Sequence, residues 1–139
     1  MLLLDTGAAS RIMRRRPDAL RRLCDEDPGK VVLCTPVAAE IRFGLARLEA
    51  GSLRQRVLER EFERLRAAVR WVDWSEPASR AFGHWKSVLQ QRGTPIEDMD
   101  LAIASIAVAL PARLATGNVR HFARIGDLEL DDWSAGETG

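Results

Sequence analysis

Between Leu101 and Leu110 the chain reads LAIASIAVAL, and Ser105 is its one polar residue. A helix that is apolar all round its circumference has no face for water and must be covered on every side. Just before it lies GTPIEDMD, with acids at Glu97, Asp98 and Asp100. Thr94-Pro95-x-Glu97 reads as a helix start, with Thr94 as N-cap, Pro95 in the first turn and Glu97 closing a capping box. First-turn acids also oppose the helix dipole, which covers Asp98, set on another side of the helix. Asp100 is different. At helical spacing it shares a face with Ile103, Ala104 and Ala107, where a carboxylate is costly unless something compensates it.

The rest of the chain shows what could surround that helix. MLLLD, KVVLCT, VRWVDW, ARLAT and a segment around Leu128–Leu130 read as short strands. Between them lie helical segments: one or two in RIMRRRPDALRRLCDED, then PVAAEIRFGLARLEAG stopping at Gly51. LRQRVLEREFERLRAA opens on a Ser52-x-x-Gln55 capping box, SEPASRAFGHWKSVLQQRG ends at Gly93, and a short turn of helix covers Val119 to Ala123. Continuous apolar strands alternating with helices predict a parallel sheet covered on both faces. In such sheets ligands collect beyond the carboxyl ends of the strands, near a switch in strand order.

At 139 residues and 46% apolar content, one globular domain over 1–133 is expected, with SAGETG (134–139) as a flexible tail. No apolar run is long enough to span a bilayer, and MLLLD lacks the basic start of a signal peptide. Cys24 and Cys34 fit no metal spacing, so two free thiols in the cytoplasm are expected. Net charge is +1, which gives no bulk attraction for nucleic acid. Lysine occurs only at Lys30 and Lys86, so 21 − 2 = 19 of the basic residues are arginine. Arginine suits phosphate, although a GC-rich genome gives the same bias.

Four residues fall where this architecture puts its cleft. Asp5 closes the first strand, and Glu40 lies just over one turn into the helix after the second. Asn118 follows the fourth strand, and Asp100 opens the helix leading back into the sheet. Each has a local explanation: Asp5 as an N-cap, Glu40 as a rim glutamate, Asn118 beside Gly117 as a turn. Together they are harder to explain so, because unit charges ~4 Å apart repel by about 4 kcal/mol at an effective dielectric of ~20. Gathered carboxylates call for a cation, and hard oxygen ligands select Mg²⁺ or Mn²⁺. Such an ion can activate water and stabilise charge on a phosphate, which is nuclease or phosphatase chemistry.

The segments LLLDT, VAAEIRFG, GTPIEDMDLAIASIAVA and LATGNVRHFARIGDLELDDW resemble the successive signatures of PIN-domain ribonucleases, in particular VapC-type toxins of toxin–antitoxin pairs. The likeness runs from Leu2 to Trp133. It implies an α/β/α sandwich around a mainly parallel sheet of four to five strands and an Mg²⁺-dependent endoribonuclease, with Mn²⁺ as a substitute. It also implies a homodimer, a cognate antitoxin that blocks the cleft, and structured RNA such as tRNA as substrate. Carried over by position, Asp5, Glu40 and Asp100 match the acids that gather the metal, and Asn118 matches a fourth position held by Asp or Asn. Thr6 and Thr116 match hydroxyl residues that brace the acids, and Asp98 is at most a supporting acid behind them. Gly7 stands where relatives usually carry asparagine.

Other residues have plainer readings. His84 beside Trp85 and His121 beside Phe122 read as packed or surface histidines, His121 at most touching RNA. Arg56–Glu59, Arg60–Glu63 and Glu61–Arg64 read as pairs on a solvated helix face, worth a few tenths of a kcal/mol each. Arg14, Arg15 and Arg16 lack interleaved acids and are the candidates for RNA backbone contacts. Trp71, Trp74, Trp85 and Trp133 read as core or dimer-face residues. Two rivals use the same fold: a non-cleaving RNA- or metal-binding module, supported by Gly7 and the neutral Asn118, and a phosphoacceptor receiver domain. The receiver needs a lysine near the acids, and neither Lys30 nor Lys86 sits at a suitable strand end.

Overall fold

A computed structural model describes residues 1–134. The expected tail at 134–139 therefore lies, but for Ser134, outside the described residues. Five strands, β1 (Leu2–Leu4), β2 (Val31–Cys34), β3 (Arg70–Val72), β4 (Arg113–Thr116) and β5 (Leu130–Asp132), form one sheet in the order β3-β2-β1-β4-β5. Every pairing is parallel. Seven α-helices flank it: α1 (Thr6–Met13), α2 (Pro17–Cys24), α3 (Thr35–Ala46), α4 (Leu53–Ala68), α5 (Glu76–Gln91), α6 (Asp98–Ala109) and α7 (Val119–Phe122). All residues of β1 and β2 are buried, so both faces of the central sheet are covered. This is the three-layer α/β/α arrangement expected from the strand pattern.

The chain builds β1, β2 and β3 outward in one direction, then returns to pair β4 on the other side of β1. The switch point thus lies between β1 and β4, and each of these strands delivers a polar residue to the same carboxyl-end rim. Asp5 follows β1 and Thr116 ends β4. The rim stays closely tied at this point, since the Asp5 N–H bonds the Ala115 carbonyl at 3.0 Å and the Trp133 N–H bonds the Thr116 carbonyl at 2.8 Å.

The helix α6 is as buried as its composition requires, with every residue from Leu101 to Ala107 in the core. Its lone hydroxyl is satisfied within the helix, Ser105 Oγ donating to the Leu101 carbonyl at 2.7 Å. Its start differs from the sequence expectation. The helix begins at Asp98, not beside Thr94, and Glu97 is the N-cap, making no side-chain capping bond. The reason lies upstream. Gly93 adopts φ 72°, the Gly93 N–H reaches the Gln90 carbonyl and the Thr94 N–H reaches the Leu89 carbonyl, a Schellman ending that uses up residues 93 and 94. Ile96 then packs on the core just ahead of the new helix, beside Leu101.

Other boundaries shift for similar reasons. α3 ends at Ala46, short of Gly51, because Gln55 Nε2 takes the Leu45 carbonyl at 3.0 Å. Ser52 does cap α4 through the Gln55 N–H, but the return bond of the box goes to the Gly51 N–H at 2.8 Å instead of to Ser52. β5 lies two residues later than expected, because Leu114 pairs with Leu130 and the turn after Ile125 absorbs Leu128. On α4 the Glu61–Arg64 pair forms at 3.3 Å, whereas Glu63 turns to Arg66 and Arg42. Trp85 and Trp133 are core residues, Trp71 is half-buried beneath the Arg66 guanidinium, and Trp74 is exposed against Phe82.

Candidate active site

Asp5 occupies two roles at once. It is the N-cap of α1, accepting the Ala8 N–H at 2.7 Å, and its carboxylate faces the other acids of the rim. Only 8% of the residue is exposed. Burial pushes its carboxyl above the usual aspartate value; hydrogen bonds from the Thr116 hydroxyl and the Ala8 N–H act in the opposite sense, and the charges of Asp100 and Glu40 push it further up. Those two charges act on Asp5 from residues distant in sequence, so Asp100 and Glu40 both lie within electrostatic reach of it.

Each remaining group is held by a named partner. Glu40, on the second turn of α3, accepts a hydrogen bond from Thr6 Oγ1 at 2.5 Å. Thr116 is wholly buried; its hydroxyl donates to Asp5 and accepts the backbone N–H of Asn118 at 2.9 Å. Asn118 is exposed and is the N-cap of α7, yet its side chain makes no capping bond. Asp100 Oδ2 lies 3.2 Å from His121 Nε2. His121 packs edge-on against Phe122, as its place in the sequence suggests, and the contact with Asp100 is added by the return of α7 toward the start of α6.

The other candidates divide. Asp98 does not support the acids: it forms an exposed pair with Lys86 at 3.1 Å, drawn there because α5 packs along α6. Arg14 lines a cavity of about 170 Å³ between α1, α3 and α4 that also contains Thr6, Ser10 and Glu40. Arg54 lines the same cavity and had no sequence signal, being one of many arginines in a mixed-charge helix. Arg15 adopts φ 57° and pairs with Glu61 at 3.6 Å, yet it lines a second cavity together with Arg14 and Arg54, while Arg16, also exposed, serves as the backbone N-cap of α2. Gly7 has room for a side chain, since a Cβ there would meet Asp5 Oδ1 at an ordinary 3.5 Å. Lys30 precedes β2, at the amino end of the sheet, and Lys86 is engaged by Asp98, which leaves the receiver-domain reading without its lysine.

The donor set is hard oxygen throughout: three carboxylates, two hydroxyls and an amide. Among the described residues, no three His, Cys, Asp or Glu side chains are grouped closely enough to enclose an ion by themselves. Glu40 leans to Thr6 and Asp100 to His121. This spacing suits a small hard cation that keeps several waters and takes only one or two carboxylates directly. A buried Asp5 facing two like charges is the feature such a cation would relieve.

Comparisons with known proteins agree with this geometry. The PIN domain family matches residues 2–128. Ribonuclease VapC1 of Haemophilus influenzae is 32% identical over 136 residues, covering 95% of this chain and 97% of the relative. Ribonuclease VapC2 of Rickettsia felis is 29% identical over 135 residues, covering 94% and 96%. Among solved structures, the toxin–antitoxin complex VapBC2 of Rickettsia felis, bound to a DNA fragment from its promoter, superposes with a TM-score of 0.81 at 26% identity, covering 95% of this chain and 98% of that one. FitAcB from Neisseria gonorrhoeae also gives a TM-score of 0.81, at 27% identity and with 95% and 97% covered. Fold, strand-end acids and similarity along almost the whole length converge: the chain belongs to the PIN-domain family and, within it, to the VapC ribonucleases.

Proposed function

We propose that this chain is the Mg²⁺-dependent endoribonuclease toxin of a toxin–antitoxin pair, acting in the cytoplasm on structured RNA, with Mn²⁺ able to replace Mg²⁺. The observation that carries this reading is the buried Asp5, confronted by the charges of Asp100 and Glu40 at the switch point of a parallel sheet. Asp5, Glu40 and Asp100 would hold the ion, and Asn118 would complete its surroundings or orient water. A divalent ion there lowers the pKa of water and offsets charge developing on the scissile phosphate. The chain's own residues do the positioning: Thr116 fixes Asp5, Thr6 fixes Glu40, and Arg14, which lines the cavity beside Glu40, would contact the RNA backbone.

The partner follows from the relatives, several of which were solved as VapBC complexes. A cognate antitoxin covering the acid rim, and a homodimer of this chain, belong to the same proposal. A curated relative from Shigella flexneri, 24% identical, is named a tRNA(fMet)-specific endonuclease, which makes the anticodon arm of a tRNA a reasonable first substrate. Among the described residues no helix is long and apolar enough to cross a membrane.

The test is direct. Pure protein incubated with total tRNA and Mn²⁺ should yield discrete fragments that disappear with chelator, and Asp100→Asn should reduce cleavage by at least about 100-fold. Chelator-insensitive cleavage would remove the metal from the mechanism. Specific RNA binding without any cleavage would favour the inert module instead. Light scattering on the free chain tests the dimer.

A further inference from the structure

The contact between His121 and Asp100 is one that the strand ends alone do not supply. The carboxylate of Asp100 can only accept, so at 3.2 Å the Nε2 of His121 must carry the proton. The imidazole is not free to wander. Its ring stands edge-on to Phe122, 5.1 Å between centroids at 82°, and Phe122 is only 2% exposed. A second tie joins the same two segments, Arg124 Nη1 donating to the Pro95 carbonyl at 3.2 Å just ahead of α6. The α7 segment is thus latched to the start of α6 at two points, and one of them ends on Asp100.

A holding contact is needed there for a specific reason. Asp100 is in the first turn of α6, where the backbone N–H groups have no intrahelical partners. Glu97, the N-cap, makes no side-chain bond to them. A short acid in this turn is drawn back toward those donors and toward the positive end of the helix dipole. Such a rotamer would break the 3.2 Å contact with His121. The bond from His121 competes with that collapse.

We propose that His121 is a positioning residue: its Nε2–H holds one oxygen of Asp100 on the rim, so that the other stays aimed at the divalent ion. This rests on the reading of Asp100 as a metal ligand given above. Hydrogen bonds to ligating groups orient them, and their loss typically costs 10–100-fold in metal affinity. Histidine is therefore part of the site without being its acid or base.

The experiment measures Mn²⁺ binding by electron paramagnetic resonance of the free ion, with no RNA present, for wild type, His121→Leu, His121→Gln and Asp5→Asn. His121→Leu should weaken Mn²⁺ binding about 10–100-fold. His121→Gln, whose amide can donate from nearly the same place, should restore binding close to wild type. RNA cleavage by His121→Leu should recover when Mn²⁺ is raised to saturation, a shift in metal requirement and not in maximal rate. Equal or tighter Mn²⁺ binding by His121→Leu overturns the proposal, as does equal weakening in the Leu and Gln variants, which would point to packing alone. Wild-type protein whose Mn²⁺ binding is unaffected by Asp5→Asn would instead sink the reading of the metal site itself, and the positioning role with it.

Discussion

Thr6 Oγ1 donates to Glu40 Oε1 at 2.5 Å, joining the first residue of α1 to the second turn of α3 across 34 positions of sequence. The bond does for Glu40 what Thr116 does for Asp5: it fixes one carboxylate oxygen with a neutral donor, so no positive side chain is needed beside the acid. Thr6→Val keeps shape and removes the hydroxyl. We expect kcat/KM for RNA to fall about 10-fold with at most about 1 kcal/mol lost in stability, and Thr6→Ser to retain activity. Cleavage rates and denaturant melts measure both, and full activity in Thr6→Val would show that Glu40 needs no such brace.

Asp5→Asn should abolish cleavage yet make the metal-free protein more stable at neutral pH. The folded-state carboxyl is raised above its ordinary value of 3.8, chiefly by burial. Such a group favours the fold while protonated, and the advantage is lost as pH rises through its folded value. Wild type therefore carries a penalty at pH 7 that the neutral amide lacks, while asparagine remains a good N-cap for the Ala8 N–H. Melting curves in chelator should place the variant a few degrees higher at pH 7, with the gain vanishing below the ordinary carboxylate range. A lower melting temperature at pH 7 would contradict the charge strain inferred here.

Mn²⁺ at about 100 times its dissociation constant should stabilise the wild type by roughly 2.7 kcal/mol. For a chain of this length that corresponds to a rise of roughly 10 °C. Chelator should reverse the shift and Asp5→Asn should not show it. Differential scanning calorimetry reads this without any RNA, and a melting temperature indifferent to Mn²⁺ would speak against a rim already arranged for the ion.

The two cysteines should behave unequally. Cys34 is buried at the end of β2, and burial pushes its thiol up to about 12, whereas Cys24 is exposed at the end of α2. At pH 8 only on the order of one Cys34 in 10⁴ is thiolate. A chromogenic disulfide reagent should titrate one thiol per native chain and a second only after unfolding. Rapid release of two equivalents from native protein would mean that β2 opens readily.

Local pattern carried much of this architecture. Runs such as LLL and VVLC, apolar on both faces and alternating with helices, read as buried parallel strands, and parallel strands send all their carboxyl ends to one rim. Asp5 and Asn118 were therefore legible as neighbours once the strands were recognised, and the apolar circumference of α6 announced its burial. The same strand-end placement singled out Asp5, Glu40 and Asp100, and resemblance to the family added the bracing roles of Thr6 and Thr116.

Tertiary structure alone decided the partners. Helical spacing already set Asp98 and Asp100 on different sides of α6, but only the packing of α5 against α6 gives Asp98 to Lys86, and only the return of α7 gives Asp100 to His121. Arg14 and not Arg15 meets the cavity of Glu40 because the backbone turns through φ 57° at Arg15. Hydrophobic periodicity specifies which face of an element is buried, and it does so from nearest neighbours in the chain. The hydrogen bonds of the rim join residues 21 and 34 positions apart, and such bonds form only where packing brings two side chains within about 3 Å of each other.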